Sequence, residues 1–279
     1  MPVDPEELTA VADAVHAELP PETHMGAVHL TVADLDRSIG YYESQIGLVL
    51  HGRDDGRARL GTGGDDLLVL AEEPGARPAD GYSGLFHFAL LVPERVDLAR
   101  WLAHAARERV PLSGLSDHYV SEAIYLQDPD HHGIEIYADR PREIWEGKVG
   151  ERLTTLPLDT NDLLDVLDDP RTEPFDGLAA GTVMGHVHLC VADVEQAVSY
   201  YRDVVGFGLM AQLGNQAAFL SAGGYHHHLG ANTWQSRGAP YAPEGYARLT
   251  QMTIVVPDTS GLEPRRFTDP FGIPVAFDR

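Results

Sequence analysis

Met25-Gly26-Ala27-Val28-His29-Leu30-Thr31-Val32-Ala33-Asp34 is written a second time as Met184-Gly185-His186-Val187-His188-Leu189-Cys190-Val191-Ala192-Asp193, 159 positions further on. The likeness continues through Tyr41-Tyr42 and Tyr200-Tyr201 to Gly47 and Gly206. Each copy reads as a strand, an Asp N-cap (Asp34, Asp193), a helix of about ten residues closed by glycine, and short strands with hairpins at Gly61–Gly64 and Ala222–Gly224. A second kind of unit follows each first one. Leu85 to Pro93 resembles Leu249 to Pro257, and Asp128 to Tyr137 resembles Asp269 to Phe277. The fold class is therefore α+β, with four βαβββ units, A to D, in two halves.

Residues 1–23 read as an acidic, partly helical extension, 24–140 as the first half (units A and B), 141–181 as a linker, and 182–279 as the second half (units C and D). The linker carries Arg142-Glu143-Ile144-Trp145 and a short helix near Asn161 to Leu167. It is long enough for unit C to cross the molecule, so units adjacent in sequence need not pair. Unit D is truncated. Only eleven residues separate Pro257 from Asp269, against thirty-four between Pro93 and Asp128. It also has Gln251 where B has His87, and Ala276 where B has Glu135.

Composition sets limits on function. A chain of 279 residues can bury two cores of ordinary size. A formal charge of −23 argues against nucleic acid as a partner, because phosphate binding needs clustered Lys and Arg. No run approaches the roughly 20 apolar residues of a membrane span, and no signal peptide opens the chain, so the expected location is the cytoplasm. The single cysteine, Cys190, rules out an intramolecular disulfide and reads as an inert core residue.

Two residues point to chemistry. Glu135 alternates with Ile134 and Ile136 on one strand, and His87 sits mid-strand in Leu85-Phe86-His87-Phe88-Ala89, 48 positions earlier. A carboxylate is rarely buried without a partner, since desolvating its charge is costly unless it is paired or binds a metal. A strand His and a strand Glu make up two of the three ligands of the facial triad that holds non-haem Fe(II).

The pattern resembles the vicinal-oxygen-chelate superfamily, and within it the two-domain catechol 2,3-dioxygenase-like branch. The resemblance covers about residues 24 to 279. It is carried by Ser116-Asp117-His118, Ser121-Glu122-Ala123, Tyr125, Asp128-Pro129, the run Gly133 to Pro141, and Gly223-Gly224-Tyr225-His226-His227-His228. It implies that units pair into half-barrel cups around a metal, here two cups with the fourth unit truncated. Two pairings complete a triad with His87 and Glu135. If A pairs with B, the third ligand is His29; if B pairs with C, it is His188. The second pairing is favoured, because it also gathers the histidines of unit C. Alternation puts His226 and His228 on one face, and matching hairpin glycines place His228 near the cup. His29 then reads as a hydrogen-bonded core residue, and His131-His132 as solvated turn residues.

What the resemblance implies is an extradiol ring-cleaving dioxygenase of aromatic catabolism. It would act on a catechol-type diol with O2 at Fe(II), with Mn(II) suited to the same ligands. His118 and Tyr125 would position the diol, His228 would be the acid–base group, and Asp117 is a candidate to orient His118. The rival reading is a glyoxalase-like isomerase that uses His87, Glu135, His188 and His228 as four ligands to Ni(II) or Zn(II). A metal-free binding protein is a third, less favoured, class. The substrate's substituents and any homo-oligomeric state are left open.

Overall fold

The computed structural model describes residues Thr9–Ala10 and 19–279, so the expected helical extension falls largely outside the described residues. Unit A contributes β1 (His24–Val32), helix α1 (Leu35–Tyr41), β2 (Val49–Asp54), β3 (Arg57–Gly61) and β4 (Asp66–Glu72). Unit B follows with β5 (Gly84–Leu91), α2 (Arg95–Glu108), β6 (Gly114–Asp117), β7 (Ser121–Gln127) and β8 (Gly133–Asp139). Unit C is β9 (Val183–Cys190), α3 (Val194–Tyr200), β10 (Gly208–Leu213), β11 (Ala217–Ser221) and β12 (Leu229–Asn232). Unit D retains β13 (Leu249–Val255), β14 (Arg265–Thr268) and β15 (Pro274–Asp278), with one 3-10 turn, Asp258–Ser260, in place of a helix. Among the described residues no helix is long and apolar enough to cross a membrane.

The helices begin where the sequence marks them. Asp34 accepts from the Arg37 N–H and Asp193 from the Gln196 N–H, satisfying donors that a helix start leaves unpaired. Each helix then widens into a π turn, Tyr42–Ile46 or Tyr201–Val205, and ends on a left-handed glycine, Gly47 (φ 92°) or Gly206 (φ 104°). A residue with a Cβ would be strained at either stop.

The sheets run across the sequence order. In the ten-stranded sheet, β9 of unit C pairs antiparallel with β5 of unit B. In the seven-stranded sheet, β13 of unit D pairs antiparallel with β1 of unit A. Each sheet curls into a half-barrel cup, B with C and A with D. Sequence neighbours instead pack through helix-to-turn contacts. Tyr42 at the end of α1 donates to Asp128 Oδ2 at 2.8 Å, and Tyr201 at the end of α3 donates to Asp269 Oδ2 at 2.7 Å. The other oxygen of each Asp accepts two turn N–H groups, from Asp130 and His132 or from Phe271 and Ile273. The repeated Asp-Pro therefore ties a turn to the neighbouring unit. In the first of these turns His131 is exposed, but His132 is buried and bonds to the Thr31 carbonyl at 2.9 Å, so only one of the pair is solvated.

Candidate metal centre

Three adjacent strands build the centre. Ladder register sets Glu135 of β8 and His186 of β9 opposite Ala89 of β5, one from each side. Only the Ala89 methyl lies between them, so both longer side chains can lean toward His87, two residues away on the same face of β5. His87 itself lies opposite Gly133 and His188. A side chain at Gly133 would collide with the Phe86 carbonyl at 2.0 Å, so glycine there lets β8 approach closely enough to deliver Glu135. His87 Nε2 and His186 Nε2 each stand 3.0 Å from Glu135 Oε2 and 3.3 Å from one another. Among the described residues this is the group whose ligand atoms lie within 4.8 Å of one another.

All three side chains are buried. Burial opposes charge on Glu135, but His186 and His87 beside it hold the carboxyl well below its usual range. Burial pushes His186 down to about 4, which leaves it neutral at pH 7 with a lone pair to give. The donor set fits a divalent ion. Bonds of about 2.1 Å meeting at right angles put neighbouring donors about 3.0 Å apart, the spacing seen here. Two imidazoles and one carboxylate are also the ligand types of an open triad.

A cavity of about 520 Å³ opens beside the trio, with His87 and Glu135 in its wall, within the range of small-molecule sites. Phe86, Trp234, Phe219, Leu153 and Leu213 supply apolar wall, and His118, Tyr125, His188 and His227 supply polar groups. Tyr125 lies opposite Glu135 in the ladder. His118 Nδ1 sits 2.7 Å from the Thr154 carbonyl, which can only accept, so that nitrogen carries the hydrogen. His118 Nε2 therefore accepts from the Tyr125 hydroxyl at 2.7 Å. Burial and the neighbouring Glu135 charge keep the Tyr125 phenol protonated, and burial keeps His118 neutral.

The structure places the other expected site residues as follows. His188, expected as the third ligand, lies on the same face as His186 but one step along, opposite His87. Its Nε2 is buried without a protein partner, and its ring packs over Gly230. The repeat itself held the signal for His186. Units A and C share His29 and His188, whereas His186 replaces Ala27 and belongs to C alone. His29 lies in the other cup, near Gln251. His228, expected as the acid–base group, does not line the cavity; His227 does. His228 Nδ1 is taken up by Ser221 Oγ at 3.0 Å and the Ala222 N–H at 3.2 Å. The reason is local. Gly223 and Gly224 both take left-handed backbone, and regular strand resumes only at Leu229, so the alternation assumed for 226–228 does not hold. Asp117 bonds to Arg140 and to the Tyr119 N–H, and does not orient His118.

The glyoxalase/bleomycin resistance protein/dioxygenase superfamily model matches residues 24–136 and 183–256, which take in all three residues of the trio. The chain belongs to this superfamily. One superfamily relative, from Bacillus subtilis (strain 168) and named catechol-2,3-dioxygenase, is 40% identical over 248 residues, 87% of this chain and 86% of that protein. Glyoxalase I from Zea mays superposes with a TM-score of 0.54 at 18% identity, over 92% of each chain. A structure from Bacillus subtilis subsp. subtilis str. 168 gives 0.58 at 14% identity, over 91% of this chain and 85% of its own. At such low identity these two structural likenesses speak to the fold alone.

Proposed function

We propose that this protein is an extradiol ring-cleaving dioxygenase that joins O2 to a catechol-type diol at a mononuclear Fe(II) centre held by His87, Glu135 and His186. The observation that carries the reading is a trio of candidate ligands, two of which, His87 and Glu135, line a cavity. Among the described residues no fourth His, Cys, Asp or Glu joins the trio within the same reach, as a four-ligand isomerase would require. The Bacillus subtilis relative named catechol-2,3-dioxygenase supports the same reaction class. Mn(II) suits the same ligands.

Bound there, Fe(II) would lower the pKa of the diol hydroxyls and pass electron density toward O2. The protein's own groups do the rest. The aromatic and aliphatic wall holds the ring and excludes water. A diol hydroxyl that donates to Tyr125 Oη can hand its proton on, because Tyr125 in turn donates to His118 Nε2. His227 also lines the cavity and is placed to exchange a proton there. Both oxygen atoms enter the product, a muconic semialdehyde, when the ring opens beside the diol.

The test is anaerobic reconstitution with Fe(II), followed by catechol and air. A yellow ring-fission product with one O2 consumed per catechol is expected. No oxygen uptake across a panel of catechols and hydroquinones, with metal confirmed bound, would sink the dioxygenase reading and favour an isomerase.

A further inference from the structure

Strand β8 carries three polar residues on one face, Glu135, Tyr137 and Asp139, spaced by two. Each meets a partner from unit C. Glu135 Oε2 reaches His186, Tyr137 Oη bonds to Tyr225 Oη at 2.8 Å, and Asp139 Oδ1 lies 2.8 Å from His226 Nε2. The third contact does not stop at His226. Its other nitrogen, Nδ1, lies 2.9 Å from Nδ1 of His227. His226 is fully buried, edge-on to Trp145 and beside Tyr225, so its ring has no room to turn away.

Hydrogen-bond accounting along this row leaves little freedom. An ionised Asp139 can only accept, so His226 Nε2 carries the hydrogen. A neutral His226 then has a bare Nδ1, which must accept from His227 Nδ1–H. That leaves His227 Nε2 bare. Nε2 has no protein partner among the described residues, and His227 lines the cavity with its ring centroid 4.1 Å from that of His186.

From this row we infer that Asp139 and His226 are positioning residues that fix the tautomer of His227, so that its Nε2 faces the cavity as a proton acceptor. Neither Asp139 nor His226 lines the cavity. They act only through His227, as a carboxylate and an imidazole in series. The inference rests on the proposed dioxygenase chemistry for its purpose, but its geometry and its main test do not.

That test is nitrogen NMR of the full-length chain labelled with 15N-histidine and loaded with diamagnetic Zn(II). His227 signals are assigned by their loss in His227→Gln. The expected result is a protonated, pyrrole-type Nδ1 and a bare, pyridine-type Nε2. In Asp139→Ala the acceptor is gone, and His227 should shift to mixed or reversed tautomers. In Asp139→Asn the amide oxygen can still accept, and the wild-type pattern should return. With Fe(II) and catechol, Asp139→Ala should lower kcat by about 10- to 100-fold with KM within about twofold, and Asp139→Asn should restore most of it. A pyridine-type Nδ1 on wild-type His227 overturns the inference without any variant. So does an unchanged His227 pattern in a folded Asp139→Ala protein. Should the protein fail to consume O2 at all, the dioxygenase reading falls while the tautomer pattern still decides this inference.

Discussion

Replacing Glu135 with Gln keeps the shape of the trio and removes its only anion. With the carboxylate, a bound divalent ion and its three ligands carry a net charge near +1; with the amide they carry +2. The desolvation cost of a buried ion grows as the square of its charge, and for real proteins it is already several kcal/mol at unit charge. A loss of at least about 3 kcal/mol in metal affinity follows, or about 100-fold in Kd. Melting temperature reads this directly. At free Fe(II) or Mn(II) of about 100 times the wild-type Kd, binding stabilises the folded protein by about 2.7 kcal/mol, or about 5–11 °C in Tm. The same concentration is at most equal to the variant's Kd, which gives about 0.4 kcal/mol and a rise of about 1 °C. Anaerobic thermal melts with and without metal, with circular dichroism to confirm that Glu135→Gln is folded, make the comparison. Equal metal-induced rises in the two proteins would refute the assignment of Glu135 as the charged ligand.

Further outcomes are open to test. His186 and His228 titrate near 6.5 when unfolded but are pushed by burial to about 4 and about 3 when folded. Between those limits the unfolded chain binds protons the folded chain refuses, so stability is complete above pH 6.5 and falls by about 1.4 kcal/mol per histidine per pH unit below it. Urea midpoints should thus drop steeply from pH 6.5 to 5, and a midpoint that rises on acidification contradicts this. Tyr125→Phe breaks the link to His118 and should cost about 10- to 100-fold in kcat/KM; full activity would remove Tyr125 from the proton path. His227→Gln should lower kcat far more than His228→Gln, whose main effect should be a stability loss of about 1–2 kcal/mol in urea melts. Tyr42→Phe leaves the buried Asp128 without its side-chain donor and should cost about 1–3 kcal/mol by the same assay.

The sequence made some of this legible because some signals are local. Asp34 and Asp193 cap the helices, Gly47 and Gly206 end them, and both facts follow from which residues suit those backbone positions. His87 and Glu135 stand out because charge on a greasy strand needs a reason. Which of His186 and His188 meets Glu135 is a different kind of question. Both point to the same face, and only the ladder register, shifted by irregularities on either side of the pair, decides which one meets Glu135. Register between strands some hundred residues apart is not written in either strand. His227 escaped for a local reason that could have been read. Two consecutive glycines before Tyr225 were a warning that strand alternation would lapse there.

The crossed pairing of units also sets a timetable for synthesis. The candidate metal centre needs β5, β8 and β9, so it can close once about residue 190 has emerged. Strand β1 is made long before its antiparallel neighbour β13, which lies more than two hundred positions later, with Gln251 paired to His29. Until then one flank of β1 is an open row of N–H and C=O groups, the kind of edge that recruits foreign strands. The cup without the His–His–Glu trio is thus the slow and aggregation-exposed half of this molecule, and a nascent chain stalled between residues 190 and 249 would hold an assembled trio beside an unfinished sheet.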